Sequence, residues 1–159
     1  MKIYKQFFNE ELLKELWECA HSTSYSKIQD DIYNFRGTDI TGELKSKVEQ
    51  AFNTHGYLEE IGILRIQRID AGFRVAENFH THRQYYTTNI VCFLNDDYTG
   101  GEFEYIEDST ELVKPVTNTA CIFPPEIPHR VLPVESGKRY TLVAFLKGSS
   151  YIKKQETLI

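Results

Sequence analysis

The chain has 159 residues, with 18 Lys and Arg against 23 Asp and Glu, giving a formal net charge of −5. At 41% hydrophobic and 26% charged it has the composition of one compact domain with a real core, which excludes wholesale disorder. The acidic balance argues against broad nucleic-acid binding, which needs clustered cations to neutralise phosphates. In chain order, Asn9 can cap a first helix whose apolar positions Leu12, Leu13, Leu16, Trp17 and Ala20 make one stripe. Residues 22–37 are polar and aromatic without a period and are expected to be loop with at most one short strand. A second helix is expected after Asp39 or Thr41, with Leu44, Val48, Ala51 and Phe52 on one face, stopping near Gly56. From residue 61 onward short strands are expected at 61–69, 86–94, 102–106, 119–123, 130–134 and 139–147, with turns at 71–72, 99–101, 124–128 and 134–138.

The expectation is therefore a single domain over residues 1–159. A helical support spans about 1–56 and a β core about 57–150. Two strands carry apolar residues on both faces. In the first, Ile90, Cys92 and Leu94 alternate with Asn89, Val91 and Phe93; in the second, Leu142, Ala144 and Leu146 alternate with Arg139, Thr141, Val143 and Phe145. Side chains alternate across a strand, so such strands are covered on both sides. The purely apolar faces are expected under the N-terminal helices, and the faces bearing Asn89, Arg139 and Thr141 inside a barrel-like pocket between two sheets.

No apolar stretch approaches the roughly 20 residues of a membrane span; the longest lie at 90–94 and 142–146. Residues 1–11 lack the apolar core of a secretory leader, and Cys19, Cys92 and Cys121 form no CxxC pair. A cytoplasmic protein with reduced thiols, not bound to membrane, is the expectation.

Five histidines are present. His21 and His55 follow the two helices, where a cation suits the helix dipole, and are expected to be ordinary surface histidines. His80 and His82 differ: two apart on a strand they point the same way, so both imidazoles can converge on one metal ion. His129 follows Phe123-Pro124-Pro125-Glu126-Ile127-Pro128, whose fixed proline dihedrals hold the next residue in place. From the residues alone, a metal ligand and a buried, hydrogen-bonded loop histidine both remain open.

His80-Thr81-His82, the run Asn89–Asn95 reading NIVCFLN, Gly100-Gly101-Glu102, Phe123-Pro124, His129, Val134, Gly137 and Arg139-Tyr140 fall in one ordered series. That series resembles the iron(II)- and 2-oxoglutarate-dependent dioxygenases, in particular the prolyl-4-hydroxylase-like branch, over residues 66–147. The family shows a His-x-Asp pair, a strand ending in Leu-Asn, a Gly-Gly-Glu turn, and a distal His followed about ten residues later by Arg or Lys. The resemblance implies a mostly β fold, a double-stranded β-helix (jelly-roll) core with helices packed on one sheet. It also implies Fe(II) and 2-oxoglutarate as cofactor and cosubstrate, and oxygen as the oxidant. C–H hydroxylation of a protein, peptide or small-molecule substrate would release succinate and CO2. Carried over residue by residue, it makes His80 and His129 metal ligands and sets Arg139 on the distal carboxylate of 2-oxoglutarate, with Asn89 and Thr141 assisting. Gly100 and Gly101 need only permit a turn.

This sequence departs from the family at one position: His82 stands where the family has Asp. A two-histidine, one-carboxylate triad leaves three iron positions open. A neutral imidazole in place of the carboxylate raises the net charge of the site by one unit. The expected metal set is thus His80, His82 and His129. A register with His82 as first ligand and Gln84 in the Asp slot is also open, though the later motifs fit the His80 register better. Two other functions are consistent with three histidines: a zinc lyase or hydrolase that activates water, and a non-catalytic jelly-roll binding module.

Overall fold

The computed structural model describes residues 1–22, 24–29, 34–75, 78–82 and 86–148. In chain order the elements are β1 (Lys2–Tyr4), α1 (Glu10–Ser22), β2 (Ser26–Gln29), β3 (Asn34–Asp39), α2 (Gly42–Thr54), β4 (Glu60–Asp70), β5 (Thr88–Phe93) and β6 (Thr99–Gly100). There follow β7 (Phe103–Glu107), β8 (Ser109–Val113), β9 (Ala120–Phe123), β10 (His129–Val131), β11 (Val134–Ser136) and β12 (Lys138–Lys147). A seven-stranded antiparallel sheet runs β1-β9-β5-β12-β4-β3-β2. It faces a smaller sheet β10-β7-β8, and the pair β11-β6 closes one end. The architecture is mostly β, a jelly-roll core with helices on one sheet, as expected. Among the described residues no helix is long and apolar enough to cross a membrane.

The two-sided strands account for the layering. On the outer face of the large sheet, Ile90, Cys92, Leu142, Ala144, Leu146, Leu64 and Ile66 are buried against Leu12, Leu16 and Ala20 of α1 and Val48 and Phe52 of α2. Burying such side chains is worth roughly 1.5–3 kcal/mol each, so this layer fixes where the helices lie. Asn9 Oδ1 accepts from Leu12 N at 2.8 Å and caps α1. Gly56, at φ +92°, takes the left-handed turn just past α2. On the inner face, Phe93, Cys121 and Phe123 of the large sheet pack against Phe103, Tyr105 and Val113 of the small one.

Several expectations need correction. Residues 22–37 are not simply loop: β2 and β3 form a hairpin, and β3 pairs with β4 from Arg36↔Arg68 to Asp39↔Arg65. The first 56 residues are therefore not a purely helical support: β3 pairs between β4 and β2, and β1 and β2 form the two edges of the large sheet. Edge strands like these are held by backbone pairing to a neighbour and need no apolar alternation, so their sequences carry little strand signal. β8 escapes for the same reason, four of its five residues being exposed. The expected strand at 130–134 is two strands with different partners: β10 pairs with β7, β11 with β6. Pro133, which has no N–H to donate, sits at the break. His55 is no plain surface residue: it is half-buried, stacks on Phe7 with centroids 4.1 Å apart, and its Nε2 meets Phe7 O at 2.7 Å.

Candidate metal centre and cosubstrate pocket

His129 enters from the small sheet, at the start of β10, where it pairs with Tyr105. His80 is not part of a strand; it makes one antiparallel bridge to His129, with reciprocal N–H···O contacts of 3.0 and 2.9 Å. His82 is placed by the proline-stiffened segment before His129, its backbone N donating to Pro125 O at 3.1 Å. One loop thus positions two of the three imidazoles. The rings converge: centroids are 5.5 Å apart for His80–His82, 4.3 Å for His80–His129 and 4.6 Å for His82–His129. One ligating nitrogen from each lies within 4.8 Å of the other two, and the cluster holds no carboxylate among the described residues. Gln84, the other residue of the alternative register, lies outside the described residues.

The donor set suits a divalent transition metal. The ring of His129 donates from Nδ1–H to Ile127 O at 2.9 Å, because a carbonyl can only accept. Its Nε2 therefore carries the lone pair, and His82 Nε2–H donates to it across 2.9 Å. That separation is close to the roughly 3.0 Å between two nitrogens held at a right angle about 2.1 Å from one ion. A carbonyl accepting from the far ring nitrogen is also how ligating histidines are held. Burial lowers the pKa of His82 to about 4, helped by the neighbouring His80, and that of His129 to about 3. Both rings are thus neutral, the form that ligates, well below neutral pH.

The same cavity is lined by Arg139 and Thr141 from β12, Gln67 and Ile69 from β4, and the aromatic walls Phe35, Phe103 and Phe145. Arg139 is 1% exposed. Its Nε donates to Gly101 O at 2.9 Å, and the guanidinium stands 5.3 Å over the Phe93 ring. This explains the Gly-Gly turn: Gly100 at φ +76° would drive a Cβ into Pro133 O, and a Cβ on Gly101 would sit 3.0 Å from Arg139 Cδ. Gly101 therefore does more than permit a turn, since its carbonyl aims the arginine. Thr141 is fully buried in the cavity wall and its hydroxyl has no hydrogen-bond partner, an orphan donor that a bound carboxylate would satisfy. Asn89 shares this face, paired with Phe145, and both its amide atoms are also orphaned, but it does not line the cavity.

Sequence reasoning missed Gln67, which pairs with Thr141 and lines the cavity beside it. The signal was there. In the 61–69 strand the residues Arg65 and Gln67 alternate with Leu64 and Ile66, marking a polar inner face like the one read in β12.

No curated protein matches the chain in sequence. Its fold is similar to that of a prolyl-4-hydroxylase from Pseudomonas putida, with 18% identity, TM-score 0.70, and 92% of this chain and 91% of that one covered. It is also similar to a Trichoplax adhaerens prolyl hydroxylase in complex with a hypoxia inducible factor peptide fragment (14%, TM-score 0.76, 94% and 84%). A third likeness is to the viral collagen prolyl hydroxylase of Paramecium Bursaria Chlorella virus-1, solved as its 2OG complex (14%, TM-score 0.68, 92% and 95%). The model of the 2OG-Fe(II) oxygenase superfamily matches residues 66–147, which run from the middle of β4 to the end of β12 and include every histidine of the cluster and Arg139. The chain belongs to that superfamily and is an iron(II)- and 2-oxoglutarate-dependent dioxygenase.

Proposed function

We propose that His80, His82 and His129 hold the iron(II), that Arg139 and Thr141 hold the distal carboxylate of 2-oxoglutarate, and that residues 1–159 act as one oxygenase domain on a prolyl-like C–H bond of a peptide or protein. The observation that carries the reading is the convergence of three imidazoles, within 4.8 Å of one another, on a cavity that also takes Arg139. When bound, iron(II) with 2-oxoglutarate supplies the activation of dioxygen that yields succinate, CO2 and a hydroxylated product.

The chain's own residues do the rest. The carbonyl of Ile127 fixes the His129 tautomer, and the Pro125 carbonyl holds the backbone of His82. The carbonyl of Gly101 restrains Nε of Arg139 and so orients the planar guanidinium that would grip a carboxylate. Phe103 and Phe123 flank the His129 ring at 5.5 and 4.9 Å, and Phe145 flanks His82 at 4.8 Å. These walls exclude water and strengthen the charge contact at Arg139. Asn89, off the cavity wall, supports the cosubstrate only through its neighbours. The peptide substrate is supported by the Trichoplax relative, which was solved with a peptide. Cys19, Cys92 and Cys121 form no disulfide among the described residues, and two of them are buried, which suits a reducing cytoplasm.

The family assignment disfavours a zinc lyase or hydrolase and a non-catalytic module. The test is succinate formation from 2-oxoglutarate by purified, iron-loaded protein under air. Succinate should form in the parent and fall to background in His129→Ala. Succinate absent from the parent, or undiminished in the variant, contradicts the assignment.

A further inference from the structure

The inner face of β4 carries a second arginine. Arg65 points to the same side of the large sheet as Gln67, two residues on, and pairs across β12 with Val143. Gln67 and Val143 both line the cavity, so Arg65 stands at its edge, toward β3. It is half-buried, and its Nε is buried with no hydrogen-bond partner. Asp39 lies directly opposite on β3 but is exposed, and none of the ion pairs among the described residues includes Arg65. A buried guanidinium N–H without an acceptor is costly, and a position beside a ligand cavity lets a ligand supply the acceptor. Among the described residues no carboxylate lines that cavity. On the reading above, a third imidazole in the carboxylate slot leaves the metal site one charge unit more positive, which again favours a negative partner.

We infer that Arg65 receives a carboxylate of the primary substrate at the edge of the cavity, so that this enzyme selects acidic substrates. The inference rests on the proposed function and names its substrate class. A planar guanidinium with a free Nε–H offers the carboxylate a bidentate grip that an amide of the same shape cannot complete. The carboxylate has two sources, an acidic side chain next to the target residue or a free chain terminus.

Calorimetric titration under nitrogen, with iron(II) and 2-oxoglutarate present and turnover therefore stopped, distinguishes them. The probes are acetyl-Pro-Asp-amide against acetyl-Pro-Asn-amide, and acetyl-Pro acid against acetyl-Pro-amide. The acidic member of at least one pair should bind about tenfold more tightly, and which pair it is identifies the source. Arg65→Gln should erase that preference and Arg65→Lys should keep part of it, with the near-ultraviolet circular dichroism of both variants matching the parent. Equal binding within both pairs, no binding by any probe, or a preference that survives Arg65→Gln overturns the inference. A preliminary titration of the parent with 2-oxoglutarate alone separates the two levels. If 2-oxoglutarate binds and acids gain nothing, only the role of Arg65 falls; if 2-oxoglutarate fails to bind, the proposed function falls with it.

Discussion

On the proposed assignment His82 decides the chemistry of the cluster, because it would set both the charge and the donor type facing the ion. Aspartate there is shorter but still reaches from the same backbone position, and it restores one negative charge. His82→Asp is expected to keep iron and to turn over 2-oxoglutarate at least as fast as the parent, whereas His82→Ala should bind iron more weakly and turn over slowly. Iron titration and succinate assays on the three proteins check this; equal iron affinity in all three would remove His82 from the metal set. Arg139 makes a separate prediction. Truncating one partner of a buried charge-assisted pair costs about 2–5 kcal/mol. Arg139→Ala should weaken 2-oxoglutarate binding by that amount while iron still binds at His80, His82 and His129, as paired titrations would show. At this scale the sequence was informative where a residue type has few other uses. A histidine behind a proline-stiffened loop and an arginine ten residues on stand out, while Gln67 and Arg65 read as ordinary polar interruptions of a strand. Their significance depends on which neighbour they face, and Thr141 and Val143 supply that only after β4 and β12 have paired.

Among the elements, the segment between β1 and α1 is clasped by the side chain of Asn118 from the β8–β9 connection. Asn118 is buried at φ +66°, its Oδ1 accepts from Phe8 N at 2.9 Å, and its Nδ2 donates to Phe8 O at 2.7 Å. Asn118→Ala would strand both backbone groups of Phe8 and put a less tolerant residue in a left-handed conformation. A loss of about 2–4 kcal/mol is expected from urea unfolding, with the cluster of histidines intact. A loss under about 0.5 kcal/mol would show that water replaces these bonds without cost. Both helices were legible because their apolar stripes repeat with the helical period and end at identifiable caps. The edge strands β2 and β8 were not, since an exposed edge strand is specified by the backbone beside it. The division of the 130–134 run was half visible: Pro133 announces a break, but the change of partner from β7 to β6 is a long-range event.

For the whole molecule, acid is the informative stress. His82 and His129 have folded pKa values of about 4 and about 3, below the usual 6.5, because both are buried. Lowered values mean that the unfolded chain takes up protons which the folded chain refuses. Stability is therefore full above 6.5 and lost progressively as the pH falls from there toward about 3. Urea midpoints of metal-free protein should fall between about pH 7 and about pH 5, before most carboxylates titrate. A flat profile over that window would mean that the two rings are solvated. The layering was legible in the alternation of two strands, because apolar residues on both faces demand cover on both sides, whereas the jelly-roll class followed from the family resemblance of the ordered motifs. The sheet order β1-β9-β5-β12-β4-β3-β2 was not, since it joins segments far apart in the chain.

The central claim is that one cavity holds iron(II) on three histidines and 2-oxoglutarate on Arg139. Anaerobic addition of 2-oxoglutarate to the iron(II)-loaded protein, followed in the visible spectrum, tests it most directly. The account predicts a charge-transfer band that saturates at one 2-oxoglutarate per chain, is lost in His129→Ala, and needs far more 2-oxoglutarate in Arg139→Ala. No band in the parent, or the same band at the same concentrations in both variants, would contradict it.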